Sequence, residues 1–131
     1  MLKAVHIGAE LAKLTYLEGR NRHTDPAEED AAFATLAQCG NGGVFAGSFS
    51  GESPWERHPN GDELVHVLDG KTTLTIMTAE GPERFQMSGN TMIVVPQGHW
   101  HRFKAPEGVT LMTVTPQPTE HSAAEDPRAP D

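Results

Sequence analysis

Short β-rich runs separated by turn residues dominate the chain from residue 44 onward. Val44 to Ser50 reads as a strand, and Glu63 to Leu68 and Thr72 to Thr78 read as two more joined by Asp69-Gly70. An Asp-Gly pair between two such runs predicts a hairpin, because both residues tolerate the positive φ of a tight turn. Arg84 to Met87, Met92 to Val95, His101 to Lys104 and Val109 to Thr115 continue the series. Their boundaries are Gly81-Pro82, Ser88-Gly89-Asn90, Pro96-Gln97-Gly98 and Pro106-Glu107-Gly108. Many short strands at this spacing predict an all-β sandwich or barrel. Phe45, Phe49, Val65, Val67, Leu74, Ile76 and Ile93 are its simplest core.

The N-terminal third follows a different pattern. Ala9 to Leu14 is a short candidate helix. A second helix is predicted from Asp25, with Asp25 as cap, Pro26 in the first turn and Glu28 as a capping-box partner. It runs to about Gln38, turns Phe33 and Leu36 inward and stops at Gly40 to Gly43. Beyond Pro116 the chain is acidic, proline-rich and almost free of large apolar groups, too poor in burial to offset its own ordering entropy. The reading is therefore an N-terminal helical or irregular extension over residues 1–43 packing on the barrel, a β-barrel over 44–116, and a tail over 117–131 ordered only where a neighbour holds it. No internal repeat is visible.

Composition narrows the partners. The 131 residues carry 10 Lys and Arg against 18 Asp and Glu, a net charge of -8. Such a surface repels phosphate backbones and anionic lipid, which argues against nucleic-acid or membrane partners. Cys39 stands alone, so no internal disulfide is expected. With no charged and apolar leader in the sequence, a reducing cytoplasm is the expectation. There is no phosphate-binding glycine loop and no nucleophile elbow.

The candidate chemistry lies at strand ends. Residues two apart on a strand share a face, so Glu56 and His58 point the same way, as do His99 and His101 in extended backbone. Glu63, Val65 and Val67 share another face, which puts His66 outside the barrel or at a subunit contact. Pro59-Asn60-Gly61 breaks this parity and lets His58 and Glu63 converge. Two imidazoles and a carboxylate suit a divalent transition metal and leave open positions for water, dioxygen or substrate. His58, Glu63 and His101 form that set, with Glu56 as a fourth ligand or a proton-handling catalytic group. Trp55, Trp100 and Phe103 are candidate walls. The plainer readings are a turn-exposed histidine pair at His99 and His101, solvated charge at Asp62 and Glu63, a surface ion pair at Glu56 and Arg57, and surface positions for His6, His23 and His121.

The two stretches Trp55 to Gly70 and Gly89 to His101 resemble the paired motifs of the cupin superfamily. Glu63 followed by six residues and Gly70 fits the first motif, with His58 as its second histidine; Glu56 stands where the first histidine usually stands, and Gly51 lies one residue closer than usual. Gly89, Pro96, Gly98 and His101 fit the second, with one extra residue after Gly89 and with Ala105 replacing the closing asparagine. The resemblance spans Val44 to Thr115. It implies a double-stranded β-helix (jelly-roll) barrel, a metal near its mouth and frequent homodimers. By residue, it gives the ligand role to His58, Glu63 and His101, and to Glu56 if the carboxylate substitutes for imidazole. That substitution hardens the donor set, favouring Mn, Fe or Zn over Cu, with Ni also compatible.

Two functions follow as expectations. One is a small metal-dependent enzyme of oxygenase or isomerase type acting on a small organic molecule. The alternative is a module that binds a metal or a small ligand without turnover. A structural domain with a vestigial site is a third.

Overall fold

The computed structural model describes residues 2–128; residues 129–131 of the expected tail lie outside the described residues. Helix α1 (Ile7–Leu11), strand β1 (Leu17–Arg20) and helix α2 (Pro26–Ala32) come first. Strands β2 (Phe33–Cys39), β3 (Gly42–Glu52), β4 (Trp55–Arg57), β5 (Glu63–Thr78), β6 (Gly81–Ser88), β7 (Thr91–Val95), β8 (His101–Pro116) and β9 (Glu120–Ser122) follow. Among the described residues no helix is long and apolar enough to cross a membrane.

The start of α2 is as the sequence predicts: Asp25 accepts from the Ala27 amide at 2.8 Å and Pro26 opens the helix. Its end is not. The helix stops at Ala32, and Phe33 to Cys39 form β2 against β3, where a helix was expected to about Gln38. Helix preference amounts to only a few tenths of a kcal/mol per residue, whereas the edge of β3 offers a full row of unpaired backbone groups. Gly40-Asn41, expected to terminate a helix, is the two-residue hairpin loop between Cys39 and Gly42. The sheet therefore begins ahead of Val44. The first helix also differs: it starts at Ile7, capped by His6, whose Nδ1 accepts from the Ala9 amide at 3.0 Å.

Two long strands organise the barrel. β5 and β8 are each 16 residues and pair antiparallel, while β3 pairs along the other side of β8. The first half of β5 also pairs with β7 and its second half with β6. The hairpin expected at Asp69-Gly70 is absent, and so is the break at Pro106-Glu107-Gly108. Both strands run on through these positions, with register shifts between Val67 and Asp69 and between Gly70 and Thr73. These shifts are bulges, and bulges bend a ladder without ending it. Gly70 sits at φ +76°, where a side chain would meet the Gly108 backbone. The bend folds the strand pair over a core that includes Phe49, Val65, Val67, Leu74, Ile76 and Val95. Of the other expected core residues, Ile93 packs against it half-buried and Phe45 turns to a cavity described below.

The opposite side of this half of the sheet is also apolar. Register places Val44, Val114, Leu64 and Val94 in one cross-strand row, with His66 between Met112 and Met92 in the next. Met92 and Val94 are about half exposed, at 50% and 47%. His66 thus lies on the outer face, as its parity predicts.

The strand β1 docks through a second special glycine. It pairs parallel to β3 with Arg20 opposite Gly51, which adopts φ +101° with the Arg20 backbone where a Cβ would stand. Gly51→Ala is expected to cost about 2 kcal/mol or more through strain and backbone clash. Urea unfolding measures this, and a variant as stable as wild type would remove Gly51 from this role.

Candidate metal centre

Each donor in the site stands where a loop meets a strand. His58 follows β4, Glu63 opens β5 and His101 opens β8. The loop of Pro59 to Asp62 turns the chain back, so His58 and Glu63 converge despite their spacing. All three side chains are almost fully buried, at 3%, 5% and 1% exposure. His58 Nε2 lies 3.2 Å from Glu63 Oε2, and His101 Nε2 lies 3.0 Å from Glu63 Oε1. One donor atom from each residue lies within 4.8 Å of the others.

The outer atoms of the three groups are held by the fold. His101 Nδ1 donates to the His99 carbonyl at 3.0 Å. A carbonyl only accepts, so Nδ1 carries the proton and the Nε2 of a neutral ring presents a lone pair to Glu63. His58 Nδ1 is 3.0 Å from the Thr119 hydroxyl. Glu63 Oε2 accepts from the Thr115 hydroxyl at 2.7 Å, and Thr113 stands 2.7 Å behind Thr115. His58 Nε2, Glu63 Oε1 and His101 Nε2 remain buried with no hydrogen-bond partner. With the His101 ring neutral, its 3.0 Å separation from Glu63 carries no hydrogen bond. Between His101 Nε2 and Glu63 Oε1, lone pairs facing one another in a dry interior require a cation, either a proton on the imidazole or a metal ion.

Without a metal, the proton takes that place. Burial alone would raise the Glu63 pKa, but hydrogen bonds and charge from His101 and His58 overcome it and hold the carboxyl at about 2. Burial alone would lower the His101 pKa; the hydrogen bond and charge of Glu63, with a further contribution from Glu56, reverse it upward.

Glu56 lies outside this donor group. It lines the same cavity but faces Arg20 Nη2 at 4.0 Å and His121 Nε2 at 3.8 Å. It makes no pair with Arg57, which instead binds Glu120 at 2.6 Å. His99 supplies its carbonyl and keeps its ring in the loop, 3.2 Å from the Gln97 carbonyl. The cavity holds about 200 Å³, and its apolar walls are Phe33, Phe45, Phe49, Phe103 and Leu111. Phe103 is thus a wall as expected, but the two tryptophans are not. Trp55 lies under the Arg102 guanidinium and Trp100 under that of Arg57, each 4.5 Å from ring centroid to cation.

The tail contributes more than its composition indicates. β9 pairs with β4, Trp55 Nε1 donates to the Glu125 carbonyl at 3.1 Å, and Asn60 donates to the Gln117 carbonyl at 3.0 Å. This places Thr119 on His58. Arg20, from β1, reaches the cavity from the opposite end of the chain. Neither residue carries a motif in the sequence.

Comparison with known proteins agrees with this geometry. The family model described as a cupin domain matches residues 49–115. The chain is a cupin. A Bacillus subtilis (strain 168) relative, the uncharacterized protein YdbB, is 27% identical over 78 residues, covering 60% of this cupin. The match spans 66% of that relative's length, just under two thirds. A cupin-2 domain protein from Shewanella frigidimarina NCIMB 400 superposes with TM-score 0.57 at 21% identity, covering 66% of this chain and 80% of that one. Hydroquinone 1,2-dioxygenase PnpCD, solved with Cd2+ and 4-hydroxybenzonitrile, superposes with TM-score 0.54 at 17% identity, covering 64% and 63%. At such identities these structures share the fold.

The protonated cluster fixes a pH dependence for the metal-free protein. Glu63, lowered from 4.5 to about 2, adds stability that is present above about pH 4.5 and lost as pH falls toward 2. His101, raised from 6.5, adds stability that is present below about pH 6.5 and lost as pH rises through its folded value. Thermal melts of chelator-stripped protein should therefore peak between these limits and decline at alkaline pH. A profile flat from pH 6 to 9 would contradict the imidazolium.

Proposed function

We propose that this cupin is a small metal-dependent enzyme, of oxygenase or isomerase type, acting on a small organic molecule. The supporting observation is the convergence of three buried, unpartnered donor atoms whose opposite atoms are already tied down. His58 Nε2, Glu63 Oε1 and His101 Nε2 are the ligands in this reading, and a divalent Mn, Fe, Zn or Ni ion is the occupant. Such an ion would supply Lewis-acid or redox chemistry at its open positions. The chain's own groups do the rest. The His99 carbonyl and the Thr119 hydroxyl orient the imidazoles, and Thr115 holds the carboxylate. The phenylalanine walls exclude water from the reacting molecule. Glu56, inside the cavity but apart from the donors, is the group placed to take or return a substrate proton.

The same reading includes a homodimer. The support is the outer apolar row of Val44, Val114, Leu64 and Val94, with Met92 beside it, a patch that pairing would cover. Light scattering should give twice the chain mass, and a monomer mass at micromolar concentration would remove the dimer.

Element analysis by mass spectrometry tests the metal. Untagged wild-type protein should carry near-stoichiometric Mn, Fe, Zn or Ni, and His101→Ala should carry none while keeping the fold. Thr119→Val should still fold but bind the ion roughly ten- to a hundredfold more weakly, the usual worth of an outer-shell partner. Absence of metal from wild type after reconstitution would return the site to a protonated His-Glu-His cluster and leave a ligand-binding module.

A further inference from the structure

We propose that Arg20 is the anchor for a substrate carboxylate, and that the cavity takes small monocarboxylates with an apolar, ring-sized body. Arg20 closes β1, lines the same cavity as His58 and Glu63, and is only 9% exposed. Its Nε donates to Glu29 Oε1 at 2.8 Å. Among the described residues this is the side chain's only hydrogen bond. Glu56 Oε1, at 4.0 Å from Nη2, is beyond hydrogen-bond reach. The terminal nitrogens therefore have no protein acceptor and open onto the cavity, where a ligand can reach them.

The guanidinium is also held rigid. It stands 4.9 Å from the centroid of Phe33 and 4.7 Å from that of Phe49, while Glu29 fixes its Nε edge. The remaining Nη1 and Nη2 edge is a flat fork, matched to the two oxygens of a carboxylate. A single fork beside the Glu56 carboxylate suits a monoanion better than a phosphate, for which no helix N-terminus or second cation in the cavity lining supplies further donors.

The walls set the rest of the ligand. Four phenylalanines and Leu111 offer apolar contact, and about 200 Å³ is below the roughly 300–1,000 Å³ of pockets for drug-sized ligands. The substrate would lie with its carboxylate on Arg20 and its reacting end toward His58, Glu63 and His101. This assignment rests on the reading of the cavity as a small-molecule site beside a metal.

Isothermal titration of the zinc-loaded protein tests it, with benzoate and phenylacetate against benzamide and inorganic phosphate. Zinc content is measured in parallel. Wild type should bind a carboxylate at least about tenfold more tightly than benzamide, the lower worth of a charge-assisted hydrogen bond. Arg20→Met should lose roughly ten- to a hundredfold in carboxylate affinity with zinc content unchanged. Arg20→Lys, which keeps the charge and loses the fork, should fall between them and serves if Arg20→Met does not fold. Glu56→Gln should bind the carboxylate more tightly, since a competing negative charge is gone. Undiminished benzoate affinity in the Arg20 variants would overturn the anchor and leave the metal reading standing. So would a zinc-loaded wild type that binds neither carboxylate, or binds phosphate in preference. Arg20-dependent carboxylate binding by a protein that holds no zinc would support the anchor and overturn the metal.

Discussion

The site exists because two long strands bend. His101 pairs with Ile76 in the antiparallel ladder of β5 and β8, and Glu63 lies thirteen residues before Ile76 on the same strand. Flat, that ladder would hold the two residues roughly 40 Å apart. The bulges at Asp69-Gly70 and around Gly108 fold it over, and the residues meet at 3.0 Å. The core, the cavity and the donor cluster all follow from that bend. Gly70 is essential to it because the two backbones approach where a side chain would stand.

What converges there is electrostatically unfinished. The His101 proton is committed to a carbonyl, and Glu63 has one oxygen committed to Thr115. The free atoms then face each other with lone pairs. A protein can satisfy this with a trapped proton or with a metal ion, and the two differ in sign with pH. Protons are released as pH rises, whereas metal binding is favoured by it. The donors are close enough that one ion could touch all three, which a purely structural ion pair would not require.

Much of this was legible in the residue pattern. The strand-rich middle, the burial of Phe49, Val65, Val67, Leu74 and Ile76, and the meeting of His58, Glu63 and His101 all follow from alternation and motif spacing. Where the structure departs from the residue pattern, a neighbouring strand or side chain overrides a local signal. Asp69-Gly70 has the chemistry of a turn, but β8 bends beside it and keeps β5 paired. Phe33 to Cys39 tolerate helix, but the edge of β3 was open. The tail has no core of its own, yet β4 lends it an edge and Trp55 a hydrogen bond. Glu56 keeps the parity of His58 and enters the cavity, but Arg20 and His121 draw it away from the cluster.

The cavity is built from two sources. The segment matched by the cupin family, residues 49–115, contains His58, Glu63, His101 and the corner glycines. Arg20, Phe33 and Phe45 lie before that segment and Thr119 lies after it, yet all four line the same space. The matched segment supplies His58, Glu63, Glu56, Phe49, Phe103 and Leu111 to that space, and the flanks complete it. A change at Arg20, Phe33 or Thr119 would alter the shape or charge of the chamber without touching the sequence of the cupin segment. The chamber is thus a composite of the cupin segment and the chain on either side of it.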